Sequence, residues 1–277
     1  MVPVCVRTAT GSLPFVIRVA SLHIYPIKSL GGVAVSSSEV EPRGLRHDRR
    51  WMLVDEEGVF LSQRTIERMA LFRTRFTPTG LQVAGPDGAV IDVPLSPEGE
   101  ELEVRVWNST VLARRVSDET DAWFSAQMEQ SARLVYMPNE TIRPTHPDFT
   151  SPGDHVGFAD AFPVLVAGTA SLEDLNSRLD ALIPMNRFRP NIVVEGAAPY
   201  AEDEWAGFAL NSVRYRRAKR CGRCRVTTTD QETAVVGVEP LRTLATYRKE
   251  GNNVVFGTYY VPESVGSVGV GQELELT

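Results

Sequence analysis

The stretch Val213-Arg-Tyr-Arg-Arg-Ala-Lys-Arg-Cys-Gly-Arg-Cys-Arg-Val-Thr-Thr-Thr-Asp230 is the most informative part of this sequence. It contains Cys221 and Cys224, two of the three cysteines, with two residues between them. Nearby positive charge favours a thiolate over a thiol and also attracts an anion. The stretch therefore predicts a sulfur ligand beside an anion-binding pocket. The basic residues that flank the two cysteines are Arg216, Arg217, Lys219, Arg220, Arg223 and Arg225.

The composition of the whole chain limits the class of protein. Its 277 residues are 43% hydrophobic and 23% charged, which is typical of a soluble globular protein. The net charge of -6 argues against a general nucleic-acid binder, because phosphate binding requires a basic field. The odd number of cysteines favours a reducing compartment, so we expect a cytoplasmic location. No apolar run approaches the roughly 20 residues of a membrane-spanning helix, so we predict no membrane span.

Short alternating segments indicate many β-strands in the first half of the chain. Residues 1–15, which include Cys5, are predicted to be a loose N-terminal extension. A strand over residues 16–25 and a hairpin over 103–113 are the clearest signals, and such closely spaced strands favour a barrel or sandwich. Ser117, followed by acidic residues, predicts the start of a helix.

The composition changes between residues 138 and 160, where prolines are frequent and periodicity is weak. We place the boundary between two modules here, which gives modules of residues 16–137 and 138–277. The elements predicted after residue 160 are strands over 162–167, 192–195, 213–218, 254–261 and 267–276, and helices over 171–179 and 239–249.

Four interpretations of the cysteine pair compete. A structural zinc site requires four ligands, and neither a second cysteine pair nor suitably spaced histidines are present. A thioredoxin-type dithiol requires a helix after its first cysteine, whereas Arg225-Val-Thr-Thr-Thr229 is β-branched. The third interpretation is a single thiolate ligand in an anion pocket. The fourth, two buried structural thiols, leaves the basic cluster unexplained. The four histidines are His23, His47, His146 and His155.

The sequence resembles a known family in several segments. Cys221-Gly-Arg-Cys-Arg-Val-Thr-Thr-Thr-Asp230, with Glu239-Pro-Leu-Arg-Thr-Leu244 after it, is similar to the signature of MOSC domains, the molybdenum cofactor sulfurase C-terminal-like domains. The resemblance runs in order from about residue 16 to the C-terminus, and the layout is most similar to the amidoxime-reducing components, which reduce N-hydroxylated compounds. Asn186-Arg-Phe-Arg-Pro-Asn-Ile192, Phe256-Gly-Thr-Tyr259 and Val268-Gly-Val-Gly271 also match, and Tyr25-Pro-Ile-Lys-Ser29 and Leu45-Arg-His-Asp-Arg-Arg-Trp51 resemble the companion N-terminal β-barrel module.

The resemblance implies a fold and a cofactor. The fold is mostly β, of β-barrel type with a few helices, and an N-terminal β-barrel module packs on a MOSC domain with the cofactor between them. The cofactor is molybdenum on molybdopterin, with Cys224 as metal ligand and catalytic residue. A thiolate is a suitable soft donor for such a metal, although this does not distinguish Cys224 from Cys221. Pyridoxal phosphate binding is a family-level term that the resemblance assigns to no residue here. The implied cofactor-binding residues are Lys28, Ser29, Arg49, Arg189, Asn191, Gly222, Arg223 and Tyr259.

These residue types suit the implied cofactor. Lys28 and Ser29 offer charge and donors to a phosphate, Arg49 and Arg189 offer bidentate contacts, and Asn191 offers a donor and an acceptor. Taken singly, most of them are more typical of an ordinary loop or a surface ion pair, whereas together with the cysteine pair they favour the cofactor. Two departures from the family pattern leave only backbone contacts, because hydroxyl residues are replaced by Ala161 and Phe162 at one place and by Gly222 at another.

The activity implied by the resemblance is the removal of oxygen from small N-hydroxylated or N-oxide compounds. The sequence shows no flavin, haem or iron–sulfur motif, so the electrons are expected from a separate donor of ferredoxin, flavin or cytochrome b5 type. Asp230, His155 and Asp160 are all open as proton donors. The alternatives are a non-catalytic carrier of the molybdenum cofactor, a sulfur- or cofactor-delivery protein, and a dithiol redox protein without metal.

Overall fold

The computed structural model describes residues 16–277, so the predicted N-terminal extension and Cys5 lie outside the described residues. The prediction of a mostly β fold with a few helices is confirmed. The strands before residue 138 are β1 (Arg18–Ile24), β2 (Val33–Val35), β3 (Ser37–Glu41), β4 (Gly44–Leu45), β5 (Trp51–Val54), β6 (Arg73–Thr77), β7 (Gly80–Ala84), β8 (Val90–Val93), β9 (Glu101–Val106), β10 (Ser109–Arg115) and β11 (Arg133–Tyr136). The later strands are β12 (Val164–Gly168), β13 (Ile192–Glu195), β14 (Gly207–Leu210), β15 (Val213–Gly222), β16 (Lys249–Glu250), β17 (Asn253–Pro262), β18 (Gly266–Gly269) and β19 (Leu274–Leu276).

The largest sheet has nine strands and joins the two ends of the chain. Its order is β19-β14-β15-β17-β12-β13-β1-β2, and β16 pairs with β17. The early strand β1 pairs antiparallel with the late strand β13, from Arg18 opposite Glu195 to Leu22 opposite Ile192. The first strands of the chain are therefore part of the same sheet as the cysteine-bearing strand β15.

Three smaller sheets complete the fold. Their orders are β5-β11-β10-β9, β6-β7-β8 and β18-β3-β4. The hairpin predicted over residues 103–113 is formed by β9 and β10, in which Val106 lies opposite Ser109. In the last of the three sheets, β18 from near the C-terminus pairs with β3.

Buried apolar side chains hold the sheets together. The largest core packs against the nine-stranded sheet and includes Val166, Ile192, Phe208, Tyr215 and Tyr260, all fully buried. Burying one large apolar side chain stabilises a fold by about 1.5–3 kcal/mol. Residues from both ends of the chain contribute to this core. Its packing therefore stabilises the pairing of β1 with β13 that the backbone hydrogen bonds form.

The helices confirm two of the three helix predictions. α1 (Asp118–Met128) begins after Ser117, whose hydroxyl accepts a hydrogen bond from the backbone N of Thr120 at 3.1 Å. α2 (Thr169–Asn176) overlaps the helix predicted over residues 171–179 but begins two residues earlier and ends three residues earlier. The 3₁₀ turns are Glu67–Leu71, Pro147–Phe149, Met185–Arg187, Ala201–Asp203 and Arg225–Thr228. No helix in the described part of the chain has both the length and the apolar character needed to cross a membrane.

The helix predicted over residues 239–249 is wrong in its second half. Only α3 (Leu241–Leu244) forms, and Lys249–Glu250 is the short strand β16. The backbone N of Val255 donates to the carbonyl of Arg248 at 2.9 Å, so the chain turns back on itself. Gly251 has a φ of +57°, which suits this turn.

One strand prediction also needs correction, and one strand was missed. The strand predicted over residues 267–276 is two strands, β18 and β19, because Gly271 has a φ of +82° and its backbone N donates to the carbonyl of Val19. Strand β14 was not predicted, because its sequence Gly-Phe-Ala-Leu contains no β-branched residue.

Candidate functional site

One cavity brings together all nine residues that the family resemblance assigned to the cofactor. It encloses about 800 Å³ of empty space, including its opening to solvent. Lys28 and Ser29 follow β1, Arg189 and Asn191 precede β13, and the cysteines end or follow β15. Its lining is Lys28, Ser29, Arg49, Ser62, Arg64, Ala159, Asp160, Phe162, Leu165, Arg187, Phe188, Arg189, Asn191, Cys221, Gly222, Arg223, Cys224, Val226, Thr227 and Tyr259.

Two bulges in β15 determine which way the side chains near the cysteines point. The register of β15 against β17 shifts between Arg217 and Lys219 and again between Arg220 and Gly222. Such bulges turn a strand and re-aim its side chains. Cys221 is buried, and burial raises the pKa of its thiol. Cys224 is half-buried and lies after the strand has ended, so it is the more accessible of the two thiols.

The basic run around the cysteines contributes much less to the cavity than expected. Of its six basic residues, only Arg223 lines the cavity. Arg216 forms an ion pair with Asp154, and Arg225 with Glu67. Lys219 lies 4.5 Å from the centre of the Phe149 ring. The other five do not line the cavity, in keeping with the expectation that side chains on a strand alternate faces and cannot all reach one anion; Arg225 lies after the strand, on the 3₁₀ turn Arg225–Thr228.

Lys28 is a buried cation in the lining of the cavity. Its Nζ donates to the carbonyl of Phe158 at 2.8 Å and to the carboxylate of Asp160. Burial lowers the pKa of Lys28 to about 8, even though the negative charge of Asp160 opposes this change. Lys28 is consequently charged at neutral pH and loses its charge under mildly alkaline conditions.

Three of the predicted residues have a left-handed backbone. The φ angles are +70° for Ser29, +46° for Arg49 and +55° for Arg189. A residue other than glycine in this region costs on the order of 1–3 kcal/mol, and such residues cluster at functional sites. At Ser29 the conformation is supported by Gln63, whose Nε2 donates to the Ser29 carbonyl at 2.5 Å.

Arg49 links the first half of the chain to the loop before β13. Its Nη1 donates to Asp48 Oδ2 at 2.6 Å and to Asn191 Oδ1 at 3.2 Å. Asp48 also accepts a hydrogen bond from the backbone N of Tyr25 at 2.8 Å. Burial raises the pKa of Asp48, and the charge of Arg49 opposes this rise. Asn191 is held in turn, because its Nδ2 donates to the carbonyl of His23 at 3.2 Å.

The Tyr25 ring contacts the guanidinium groups of Arg49 and Arg189, and these three residues form what we call the inner wall of the cavity. Arg49 lies 4.2 Å and Arg189 4.3 Å from the centre of its ring, within the range of cation–π contacts. Burial raises the pKa of Tyr25 to about 12, so the ring stays uncharged. Burial, together with the like charge of Arg49, lowers the pKa of Arg189 to about 10.

Arg223 and Tyr259 form the wall next to the cysteines. Arg223 Nε donates to the carbonyl of Phe256 at 2.8 Å, and its Nη1 donates to the carbonyl of Phe188 at 3.0 Å. Its Nη2 is buried and has no hydrogen-bond partner among residues 16–277. Burial raises the pKa of Tyr259 well above its usual value.

Arg64 lines the cavity but was missed by the sequence-based prediction. Its Nη2 donates to Asp160 Oδ2 at 3.2 Å. Burial acts to lower the pKa of Arg64, but Asp160 and the neighbouring Cys224 thiol outweigh it and raise the pKa. The segment Ser62-Gln-Arg64 matches no motif, and we find no signal in the sequence that identifies it.

Of the three residues considered as proton donors, only Asp160 lines the cavity. Burial acts to raise its pKa, but Lys28 and Arg64 outweigh this effect and hold the pKa well below its usual range. Solvent screens part of the effect, because 43% of the side chain is exposed. Asp160 therefore stays ionised at neutral pH. Asp230 instead pairs with Arg187 at 3.2 Å, and His155 contacts the carbonyl of Gly153 at 3.0 Å.

The charges of the lining favour an anionic ligand. Asp160 is the one carboxylate among the lining residues in the described part of the chain. The guanidinium of Arg189 donates no hydrogen bond to another residue of 16–277, and Arg223 Nη2 likewise has no acceptor there. Donors without acceptors fit a phosphate and a heterocycle edge, and a half-buried thiol fits a metal held by sulfur. The cationic residues of the lining are Lys28, Arg49, Arg64, Arg187, Arg189 and Arg223.

Comparison with known proteins divides the chain between two family models. Residues 16–131 match the MOSC N-terminal beta barrel domain, and residues 153–275 match the MOSC domain. The boundary predicted near residue 138 lies between the two matched regions, and its position remains a prediction.

Proteins similar to this chain over most of its length are named amidoxime-reducing components. Mitochondrial amidoxime-reducing component 1 of Mus musculus is 34% identical over 93% of this chain and 82% of its own length, and the values for the Homo sapiens protein are the same. Mitochondrial amidoxime reducing component 2 of Bos taurus is 33% identical over 91% of this chain and 81% of its own length. The chain therefore belongs to the MOSC-domain family, with an N-terminal MOSC β-barrel domain, and is similar to the amidoxime-reducing components.

Proposed function

We propose that this protein is a molybdenum-cofactor-dependent reductase of small N-hydroxylated or N-oxide compounds. The observation that carries the proposal is that all nine predicted residues, which come from separate segments of the chain, line a single cavity. The similarity to the amidoxime-reducing components supports the same activity. The roles of the individual residues are proposals that follow from their position and chemistry.

The residues would hold the cofactor in two groups. Lys28 and Ser29 would bind its phosphate, and Arg49, Arg189 and Asn191 would bind the phosphate and the pterin edge. The second group, Gly222, Arg223 and Tyr259, would contact the pterin beside the metal ligand Cys224. When bound, the cofactor supplies the two-electron chemistry that removes the oxygen of an N–O bond.

The protein contributes position and charge. The left-handed backbone of Arg49 and Arg189, together with the Tyr25 ring, fixes two guanidinium groups before any ligand arrives. Such preorganisation lowers the entropic cost of binding. Asp160, which stays ionised, holds Lys28 and Arg64 in place and is not the proton donor at neutral pH.

The proposed reaction needs a second protein. Reduction of R–NH–OH to R–NH₂ and water consumes two electrons and two protons, and the protons come from water. A separate donor of ferredoxin, flavin or cytochrome b5 type would supply the electrons. The cytoplasmic location expected from the cysteine number stays a prediction.

The test begins with cofactor content. The full chain is produced in a host that makes the molybdenum cofactor, and molybdenum and pterin are measured per chain. We expect nearly one of each, together with turnover of benzamidoxime with a chemical electron donor. Absence of both molybdenum and pterin would overturn the proposal. Full cofactor content without turnover of any N-hydroxylated compound would instead support the alternative of a cofactor carrier or delivery protein.

A further inference from the structure

Trp107 lies beside the cavity although nothing in the family resemblance assigns it a role. It occupies the turn between β9 and β10 with a φ of +54°, and 37% of the residue is exposed. Its indole Nε1 donates to Asp160 Oδ1 at 3.3 Å. A large exposed aromatic residue with a strained backbone is therefore anchored to the carboxylate of the cavity lining.

The indole is part of an aromatic and cationic cluster at the exposed side of the cavity. The ring centre of Phe60 lies 4.7 Å from that of Trp107, and the Arg64 guanidinium lies 4.3 Å from the indole. Arg64 is therefore held by contacts with both Trp107 and Asp160. The Arg64 side chain is 27% exposed; its Nη2 donates to Asp160, and the guanidinium also lies against the Cys224 thiol. Its remaining N–H groups can donate to a ligand.

The charges at this side of the cavity discriminate between ligands. Asp160 Oδ1 accepts from Lys28 and Trp107, and Oδ2 accepts from Arg64. A cationic ligand consequently finds no free carboxylate here and meets the charges of Lys28 and Arg64. An N–O oxygen that is neutral or anionic meets the N–H donors of Arg64 that Asp160 does not use, beside the Cys224 thiol.

We propose that Trp107 and Arg64 select the substrate of this site. The exposed indole stacks with a flat aromatic group, and Arg64 donates to the neutral or anionic N–O oxygen attached to that group. The site accordingly prefers aromatic over aliphatic N-oxygenated compounds, and uncharged over cationic ones. This inference rests on the proposed function, because it names the substrate class of the same cavity.

Binding measurements test the selection without turnover. Titration calorimetry of the cofactor-loaded full chain, with no electron donor, compares benzhydroxamic acid with acetohydroxamic acid. Aromatic pairs contribute about 0.5–1.5 kcal/mol, so we expect benzhydroxamic acid to bind about 2- to 10-fold more tightly. Trp107→Ala should remove this preference, and Trp107→Phe should restore most of it. Equal binding of the two ligands by the unmodified protein, or an unchanged preference in Trp107→Ala, would overturn the inference.

A matched control and a charge comparison complete the design. Leu112 lies on the same hairpin and is 51% exposed, so Leu112→Ala should keep the full preference. A loss of preference in Leu112→Ala would show that the hairpin acts only structurally and would contradict a specific role of Trp107. Benzamide should bind more tightly than the cationic benzamidine, and the opposite order would overturn the charge selection. If the protein prefers benzhydroxamic acid but turns over no N-hydroxylated compound, the proposed function is contradicted and the role of Trp107 and Arg64 in ligand selection is retained.

Discussion

The guanidinium of Arg49 donates a hydrogen bond to the backbone carbonyl of Arg189 at 3.2 Å. The two residues are 140 positions apart in the sequence, and both have a left-handed backbone. Each strained residue costs on the order of 1–3 kcal/mol, so the contacts around them must outweigh this cost. Asp48, Tyr25 and Asn191 provide those contacts. The inner wall of the cavity is therefore built before a ligand binds.

Asp48 is expected to be essential for this wall. Asp48→Asn removes the negative charge that neutralises Arg49. The guanidinium groups of Arg49 and Arg189 then lie close together with no carboxylate to offset their repulsion. Breaking a buried ion pair costs about 3–5 kcal/mol, so urea unfolding should show a loss of about that size. The exposed pair of Glu39 and Arg46 is the control, because Glu39→Gln should cost less than about 1 kcal/mol. Equal losses in the two variants would contradict this account.

The two cysteines should differ in their effect on metal content. Cys224→Ala removes the accessible thiol and should abolish molybdenum binding, while the fold is retained. Cys221→Ala removes a buried sulfur that is proposed to be structural, so it should lower stability and leave most of the metal bound. Elemental analysis and thermal unfolding of both variants check this. Loss of metal in Cys221→Ala alone would reverse the assignment.

Lys28 should titrate near pH 8. The sequence contains three lysines, Lys28, Lys219 and Lys249, so carbon-13 labelling of lysine gives few NMR signals to follow. Because burial lowers the pKa of Lys28 to about 8, one signal should shift with a midpoint near that pH and disappear in Lys28→Met. If no lysine signal changes within one pH unit of 8, this expectation fails.

The sign of the associated pH effects follows from the lowered pKa. Below pH 8 the lysine is protonated in both the folded and the unfolded state. Between pH 8 and the ordinary lysine pKa of 10.5 the unfolded state binds the proton and the folded state does not, so the contribution of Lys28 to the free energy of unfolding rises with pH. Binding of an anion in the cavity should weaken over the same range, because Lys28 loses its charge. Titration of inorganic phosphate into the cofactor-free protein at pH 7 and pH 9 measures this.

Two glycines near the cysteines should tolerate substitution very differently. A Cβ on Gly222 would lie 3.3 Å from the Asn253 side chain, which can move, so Gly222→Ser should change stability by no more than about 0.5 kcal/mol and keep the cofactor. Gly257 has a φ of +69°, and a Cβ there would lie 2.7 Å from the carbonyl of Val166. Gly257→Ala should therefore cost on the order of 1–3 kcal/mol from the backbone conformation alone. Thermal unfolding of the two variants distinguishes them, and similar melting temperatures would argue against this interpretation.

Local patterns in the sequence predicted the mostly β fold, the hairpin of β9 and β10 and the capped start of α1. Each depends on side chains close together along the chain. The density of positive charge around the cysteines was a poor guide to the cavity, because the bulges in β15 and alternation along the strand decide which side chains face it. Arg64 was missed because its approach to Cys224 depends on packing between distant segments.

The pairing of β1 with β13 in the nine-stranded sheet has a consequence for synthesis of the protein in the cell. The cavity needs Lys28, which follows β1, and Tyr259, which lies in β17, so it cannot exist until almost the whole chain has left the ribosome. At 5–20 residues per second, this takes roughly 10 to 60 s. Throughout that time the edge of β1 that β13 later covers is open to pairing with other chains. Any cofactor can be inserted only after translation has passed Tyr259.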